Sequence, residues 1–202
     1  MIERFFGLVD RLNAADPAER GRIEADIWQQ FGVERAVLAL DMSHFSLTVR
    51  RDGIVGYLGL IRRMQLVSRP LVEAHDGALV EFHADNLMAV FPDVPQAVHA
   101  GIAMNRAFAR ERDAGGRPLI EVGIGIDHGR FLFVEGSRCF GDSVNTSFKL
   151  GEDLAQPGEI LLTANARERL PRDFPNALTE HRFSISGLEL LAYNVHHLPA
   201  KP

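Results

Sequence analysis

Apolar and polar residues follow patterns that divide the chain into helices and short strands. At 17–31, apolar residues recur at helical spacing behind the Asp16-Pro17 pair, which is typical of a helix start. The continuous apolar run at 35–40 predicts a buried strand that ends at Asp41. Further helices are predicted at 53–75, 94–113, 143–154 and 164–170, and further strands at 78–83, 87–91, 119–127, 130–136, 159–163, 181–186 and 188–195.

A break is expected at two places, one inside a predicted helix and one between two predicted strands. Pro70 should kink or break the helix at 53–75, because proline has no backbone N–H to donate. The Asp-His-Gly stretch at 127–129 is predicted to be a turn that joins two paired strands.

The order of elements from residue 36 predicts the fold. Strand, helix, strand, strand, helix, strand is the ferredoxin-like βαββαβ pattern, an α+β fold with an antiparallel sheet and helices on one of its faces. We find no internal repeat or linker. The predicted organisation is therefore an N-terminal helical extension at 1–34 followed by one domain at 35–202.

Composition narrows the functional class. The 202 residues are 46% hydrophobic and 24% charged, as in an ordinary globular protein. The first residues do not have the pattern of a signal peptide, and no stretch has the apolar length of a transmembrane helix. The lack of such a stretch predicts that no membrane is a partner. Since Cys139 is the single cysteine, no intrachain disulfide can form and we expect a reducing cytoplasm. The formal net charge of −5 argues against nucleic-acid binding through a broad basic surface.

Polar residues interrupt the apolar stretch at 79–91. Strand alternation places Glu81, His83 and Asp85 on one face, which is also what an edge strand with a hydrated outer face would show. Asp41 ends the first buried strand, and Asp85 lies in the turn after the second. Each aspartate alone is compatible with an ordinary turn residue. Together, at neighbouring strand ends, they suit Mg²⁺ or Mn²⁺ better than zinc, because one cysteine and scattered histidines give no zinc-ligand spacing.

Five segments carry a resemblance to a known family. They read LALDMSHFS at 38–46, DGALVEFHADNLMAVF at 76–91, EVGIGIDHG at 121–129, FGDSVNTSFKL at 140–150 and QPGEILLT at 156–163. In this order they resemble the motifs of class III nucleotidyl cyclases, from about residue 36 to 195. The resemblance implies that the domain at 35–202 is a cyclase catalytic domain with the class III cyclase fold.

The resemblance also implies roles for individual residues. Asp41 and Asp85 would bind two divalent cations, with the backbone of Met42 as a further possible ligand. Asn145 would orient the ribose. Lys149 stands where the family usually has an arginine that stabilises the transition state.

Two positions in the resemblance concern the nucleotide base. Glu81 stands where adenylate cyclases have an adenine-reading lysine, and Arg138 where they have an aspartate or threonine. A carboxylate needs a donor and a guanidinium needs an acceptor, which suits uracil first, then cytosine, with guanine as the conventional alternative. ATP is expected to be a poor substrate.

The triphosphate is expected to bind at the start of the helix that follows Asp41, on the backbone N–H groups of Phe45 and Ser46. The lysine with which the family usually holds the triphosphate is absent, because Ser186 or Leu188 stands at that position. The cations that could replace this lysine are Arg50, Arg51 and Arg182.

The family shares its active sites between two protomers, so the resemblance implies a homodimer that binds an NTP. The helix that carries Trp28 is either an additional dimer surface or packs on its own protomer. The short layout and the altered base-reading pair resemble the stand-alone pyrimidine cyclases of bacterial antiphage (Pycsar) defence, whose cyclic UMP or cyclic CMP activates a separate effector. Ala84 in place of glycine, Lys149 and the missing lysine leave a catalytically inactive cyclase-like domain as the alternative.

Overall fold

The computed structural model describes residues 1–197 except 114, 137, 186 and 187, with the backbone alone at 45–47, 52, 185 and 188. The helices are α1 (Ile2–Ala14), α2 (Pro17–Phe31), α3 (Phe45–Ala74), α4 (Val94–Arg110), α5 (Asp142–Phe148) with a π-helical segment (Lys149–Leu154), and α6 (Ala164–Glu168). The strands are β1 (Gly32–Met42), β2 (Ala78–His83), β3 (Asn86–Phe91), β4 (Val122–Val134), β5 (Arg138–Phe140), β6 (Ile160–Thr163), β7 (Leu178–Ile185) and β8 (Leu188–Val195).

One sheet runs through the molecule in the order β2-β3-β1-β4-β6-β8-β7, with β5 paired to β4. Because β1 lies between β3 and β4, the first four strands have the split βαβ arrangement, which confirms the predicted ferredoxin-like fold. The strands pair antiparallel except for β4 and β6, which are parallel. The predicted antiparallel sheet is therefore correct except at this pair.

Helices cover both faces of the sheet. The larger core packs α3 and α4 on one face, against Leu38 and Leu40 of β1. On the other face, Val37 and Met88 pack against Val144 of α5. The expectation that the helices lie on one face is wrong for α5. The reason is that β1 is apolar on both faces, so each face needs a cover.

Two predicted interruptions are placed differently in the structure. Strand β4 runs without a turn through Asp127 and His128, which pair with β1 in register with Val37 and Ala36. Asp127 stays in the strand because its carboxylate accepts hydrogen bonds from the His128 backbone N–H and the Thr163 hydroxyl. Helix α3 continues past Pro70 to Ala74, and its non-helical residue is instead Gly53, at φ 76°.

The N-terminal helices pack on their own chain. Asp16 caps α2 as predicted, since its Oδ1 accepts from the backbone N–H groups of Ala18 and Glu19. The Arg130 guanidinium of β4 lies 4.3 Å from the ring centroid of Trp28, so Trp28 contacts its own protomer. The cluster between these helices and β4 consists of Phe5, Leu8, Ile23, Ile27, Phe31 and Val134. The boundary after residue 34 stays a prediction, although β1 begins at Gly32. Among the helices described, none is long and apolar enough to cross a membrane.

Candidate functional site

Sheet register brings the two aspartates together. Asp41 lies opposite Asn86 in the β1–β3 ladder, and Asp85 is the residue before Asn86 in the β2–β3 turn. The backbone N–H of Met42 donates to the Asp85 carbonyl at 3.2 Å. The pair that the sequence predicts at neighbouring strand ends is therefore adjacent in the structure.

Both aspartates line one open cavity of about 610 Å³. We call it the acidic cavity. Its wall comes from the β1–α3 connection, the β2–β3 turn and the π-helical segment with the loop after it. The lining residues are Asp41, Met42, Ser43, His44, Ala84, Asp85, Gly151, Glu152, Ala155 and Pro157.

Negative charge accumulates in this cavity. Burial raises the pKa of Asp41 from its ordinary 3.8 to about 7, and the charges of Asp85, Glu152 and Asp153 add to the shift. Burial also raises the pKa of Glu152, with Asp153 and Asp85 as further causes. The fully ionised cavity is therefore unfavourable until a cation enters it.

The donor set suits a magnesium-type cation. The part of the chain that the structure describes contains no group of three or more His, Cys, Asp or Glu side chains able to hold a metal ion. Mg²⁺ is commonly held by one or two carboxylates, with substrate phosphates and water completing its shell. Asp41 and Asp85 supply such a carboxylate pair, and the cavity is open to substrate.

Two side chains that the sequence analysis did not single out contact this region. Tyr57 of α3 is 1% exposed, and its hydroxyl donates to Asp85 Oδ2 at 2.8 Å. The Asn86 side-chain amide donates to the Glu152 carboxylate, which ties the β2–β3 turn to the π-helical segment. The sequence gives no signal for the first contact, because a tyrosine at helical spacing is read as core.

The predicted base-reading residues lie on two strands that touch. Strand β2 carries Glu81, and β5, which carries Arg138, contacts β2. Val80 and Cys139 pack in the same cluster. Burial and the charge of Glu81 raise the pKa of Cys139 to about 12, so Glu81 lies close to the residue after Arg138. Among the described side chains, no ion pair or hydrogen bond joins Glu81 to Arg138.

Asn145 and Lys149 lie outside the acidic cavity of their own chain. They are four residues apart, on one side of α5 and its junction with the π-helical segment, and Asn145 is exposed. The Lys149 ammonium is 3.2 Å from the Asp153 carboxylate. Neither belongs to the described lining of the cavity. The structure of one protomer thus brings the two aspartates together but not the aspartates with Asn145 and Lys149.

The backbone at the predicted phosphate position forms a helix start. Helix α3 begins at Phe45, behind His44 in the left-handed region at φ 67°. The backbone of Phe45 and Ser46 thus lies in the first turn of α3, next to the acidic cavity.

The three candidate arginines lie at different places. Arg50 is exposed on α3. Arg51 lines a second cavity of about 610 Å³ that shares Ser43 and His44 with the acidic cavity. Arg182 pairs with Glu180 on β7, four strands from β1 and so about 19 Å away at ordinary strand spacing. Ser186 and Leu188 are the two positions at which the family lysine could have stood. Ser186 lies outside the described residues, as does the side chain of Leu188.

Comparisons with known proteins agree with this architecture. No family model matches the chain. A protein of Rhizobium meliloti (strain 1021) named "Putative adenylate cyclase 3" is 31% identical over 134 residues, or 66% of this chain. Those residues are 22% of that protein, so the chain spans about a fifth of the length of the curated relative that it matches.

Solved structures show the fold. An adenylate/guanylate cyclase/hydrolase from Silicibacter pomeroyi has a TM-score of 0.67 at 22% identity and covers 84% of this chain and 99% of its own. The guanylate cyclase domain of RhGC from Catenaria anguillulae, in complex with GTP, has a TM-score of 0.69 at 18% identity and covers 81% and 96%. The chain therefore has the fold of nucleotidyl cyclase catalytic domains. In sequence it is similar, over 134 residues, to a protein named as a putative adenylate cyclase.

Proposed function

We propose that this chain is a class III nucleotidyl cyclase that converts a pyrimidine NTP, UTP before CTP, to the 3′,5′-cyclic monophosphate and pyrophosphate. The observation that carries the proposal is the adjacent pair Asp41 and Asp85 in one cavity, where burial and then the neighbouring negative charges raise the pKa of Asp41 to about 7. A site with this charge is suited to divalent cations bound together with a triphosphate.

The reaction exchanges one P–O bond for another and releases a proton. The ribose 3′-oxygen bonds to the α-phosphorus, the bond from that phosphorus to the β-phosphate bridging oxygen breaks, and the hydroxyl proton passes to solvent. Two divalent cations, Mg²⁺ or Mn²⁺, would lower the pKa of the hydroxyl and neutralise the departing pyrophosphate. Asp41 and Asp85 would hold them, with the Met42 carbonyl as a further oxygen ligand.

The first turn of α3 is proposed to bind the triphosphate. The N–H groups of Phe45 and Ser46 have no partner inside the helix ladder at this position and can donate to phosphate oxygens. Among the candidate cations, Arg51 is better placed than Arg182, because its cavity adjoins the acidic cavity. Arg50 remains a weaker candidate.

A second copy of the chain is proposed to complete each site. Asn145 would orient the ribose, and Lys149 would face the charge that builds on the α-phosphate. Both lie outside the acidic cavity of their own chain, which supports a homodimer with composite sites. In such a dimer Lys149 must leave or share its contact with Asp153.

Base selection is proposed to rest on Glu81 and Arg138. Glu81 would accept from the N3–H of uracil or the amino group of cytosine, and Arg138 would donate to the neighbouring acceptor. The contact between β2 and β5 supports a joint role for these residues. A pocket with buried polar partners can reject a base that leaves them unpaired by up to about 10⁴-fold.

The experiment is to incubate the purified protein with each of the four NTPs and Mn²⁺ and to identify the cyclic product by mass. We expect cyclic UMP as the main product, cyclic CMP next and little cyclic AMP. ATP as the best substrate would refute the base-reading argument, and GTP as the best would refute only the pyrimidine step. Inactivity on all four would favour an inactive cyclase-like domain that binds nucleotide or dimerises.

GTP is the conventional alternative, because the RhGC structure of the same fold was solved in complex with GTP. A guanine base would also offer N–H donors to Glu81 and an acceptor to Arg138. For the pyrimidine product we propose a signalling role in antiphage defence in the cytoplasm, through a separate effector that binds the cyclic nucleotide. This role rests on the family resemblance. It is tested by phage challenge of cells that carry the wild-type chain or its Asp41→Ala variant.

A further inference from the structure

Tyr57 is a buried polar group that the proposed reaction does not use. It belongs to α3 and packs in the main core, in the same cluster as Met64 and Leu40. Its hydroxyl reaches out of that core to Asp85 Oδ2 at 2.8 Å. This hydrogen bond lets the phenol keep its ring in the core while its polar atom is paired.

The contact restricts how Asp85 can point. Asp85 lies in a two-residue turn with Ala84, which has φ 49°, and its side chain is half-buried. The core holds the Tyr57 phenol, and the phenol holds Oδ2 of Asp85. The orientation of the Asp85 carboxylate relative to the sheet is therefore restricted. Asp41 lies in the neighbouring strand, so the direction of the Asp85 carboxylate affects how it can share a cation with Asp41.

We propose that Tyr57 is a positioning residue for the divalent-cation site, acting through its hydrogen bond to Asp85. The inference rests on the proposed function, because it takes the acidic cavity as the cation site. Partners that orient a metal-binding side chain commonly change metal affinity by about 10- to 100-fold when they are removed. Tyr57→Phe removes the hydroxyl alone and leaves the ring to fill the core.

The chain supplies a matched control. Tyr193 on β8 is the other tyrosine, and its ring contacts the Arg167 guanidinium, away from the acidic cavity. Tyr193→Phe therefore makes the same chemical change at a place where no role in cation binding is expected.

The experiment titrates the full-length protein with Mn²⁺ alone and follows free Mn²⁺ by electron paramagnetic resonance. We expect Tyr57→Phe to bind Mn²⁺ about 10- to 100-fold more weakly than wild type, and Tyr193→Phe to bind it like wild type. The metal-free melting temperatures, measured by circular dichroism, should differ much less than the metal affinities. In a cyclase assay, the Mn²⁺ concentration for half-maximal rate should rise by the same factor, and the rate at saturating Mn²⁺ should change less.

Unchanged Mn²⁺ affinity in a folded Tyr57→Phe protein would overturn the inference and leave the cation site intact. A Tyr57→Phe protein that fails to fold would mark the hydroxyl as structural and count against the positioning role. Absence of Mn²⁺ binding by the wild type would overturn the cation site together with the inference. Weaker binding in Tyr57→Phe and Tyr193→Phe alike would indicate a general effect on the fold and would also overturn it.

Discussion

Asp41→Asn should make the metal-free protein more stable, and this is the most direct test of the charge in the acidic cavity. In the folded chain, burial and the charges of Asp85, Glu152 and Asp153 raise the pKa of Asp41 to about 7. In the unfolded chain this pKa returns to about 3.8. Ionised Asp41 is therefore less favourable in the folded state than in the unfolded state, and asparagine removes that charge.

The magnitude follows from the two pKa values. One pKa unit corresponds to about 1.4 kcal/mol, so 3.8 against about 7 gives at most about 4 kcal/mol. Asp41 is only half-buried, and solvent screening reduces this to about 1–2 kcal/mol. For a chain of this length that is a rise in melting temperature of roughly 2–8 °C.

The pH dependence fixes the sign. Below about pH 4 the carboxyl is protonated in both states, so Asp41 and asparagine are equivalent there. From about pH 4 to 7 the folded state binds the additional proton, and the wild type loses stability relative to the variant as the pH rises. Above about pH 7 Asp41 is ionised in both states, so the difference in unfolding free energy between variant and wild type stays constant.

The assay is chemical denaturation in EDTA at pH 5 and pH 8, with the free energy of unfolding of both proteins measured at each pH. We expect the gain in unfolding free energy of Asp41→Asn to be larger at pH 8. The gain should shrink when EDTA is replaced by free Mn²⁺, since the cation stabilises the wild type more than the variant. Asp113→Asn is the control, because backbone N–H donors lower the pKa of Asp113 and so favour its ionised form in the folded state. Loss of that carboxylate should therefore not raise the free energy of unfolding. An Asp41→Asn protein no more stable than wild type at pH 8 would refute the reasoning.

Three further outcomes are expected. Asp85→Ala should abolish cyclic nucleotide formation with the fold intact. The measurement is a turnover assay in Mn²⁺, with circular dichroism to check the fold, and remaining activity would contradict the two-cation site. Asp41→Ala and Lys149→Ala should each be inactive alone, yet mixing them should restore roughly a quarter of wild-type activity, since half of randomly formed dimers carry one native site. No recovery, with heterodimers shown by native mass spectrometry, would count against composite sites. Arg138→Ala should raise KM for UTP more than for ATP, and equal changes for both would separate Arg138 from base selection.

The alternation and spacing of apolar residues were sufficient for the βαββαβ order and for the first four strands of the sheet. They did not predict β5, and they divided β4 into two strands. Periodicity reports which face of an element is apolar, and the βαββαβ order leaves few ways to pair the strands. The aspartate pair followed from the same information, because Asp41 and Asp85 lie at the ends of strands that this order makes neighbours. The error at 127–129 has a physical cause, since the polar Asp127 is satisfied inside the sheet by Thr163, 36 residues away.

The sequence by itself thus determined most of the helices and strands, the ferredoxin-like core and the two carboxylates at its strand ends. The tertiary structure decided what surrounds those carboxylates. Tyr57 reaches Asp85 across 28 residues and Asn86 reaches Glu152 across 66, contacts that depend on how α3 and the π-helical segment pack on the sheet. It also decided that α5 covers the second face of the sheet and that β5 contacts β2 beside Glu81. Local sequence patterns indicate which surface of an element must be buried. Which side chains cover that surface, or orient a polar group on it, depends on elements that are distant in sequence.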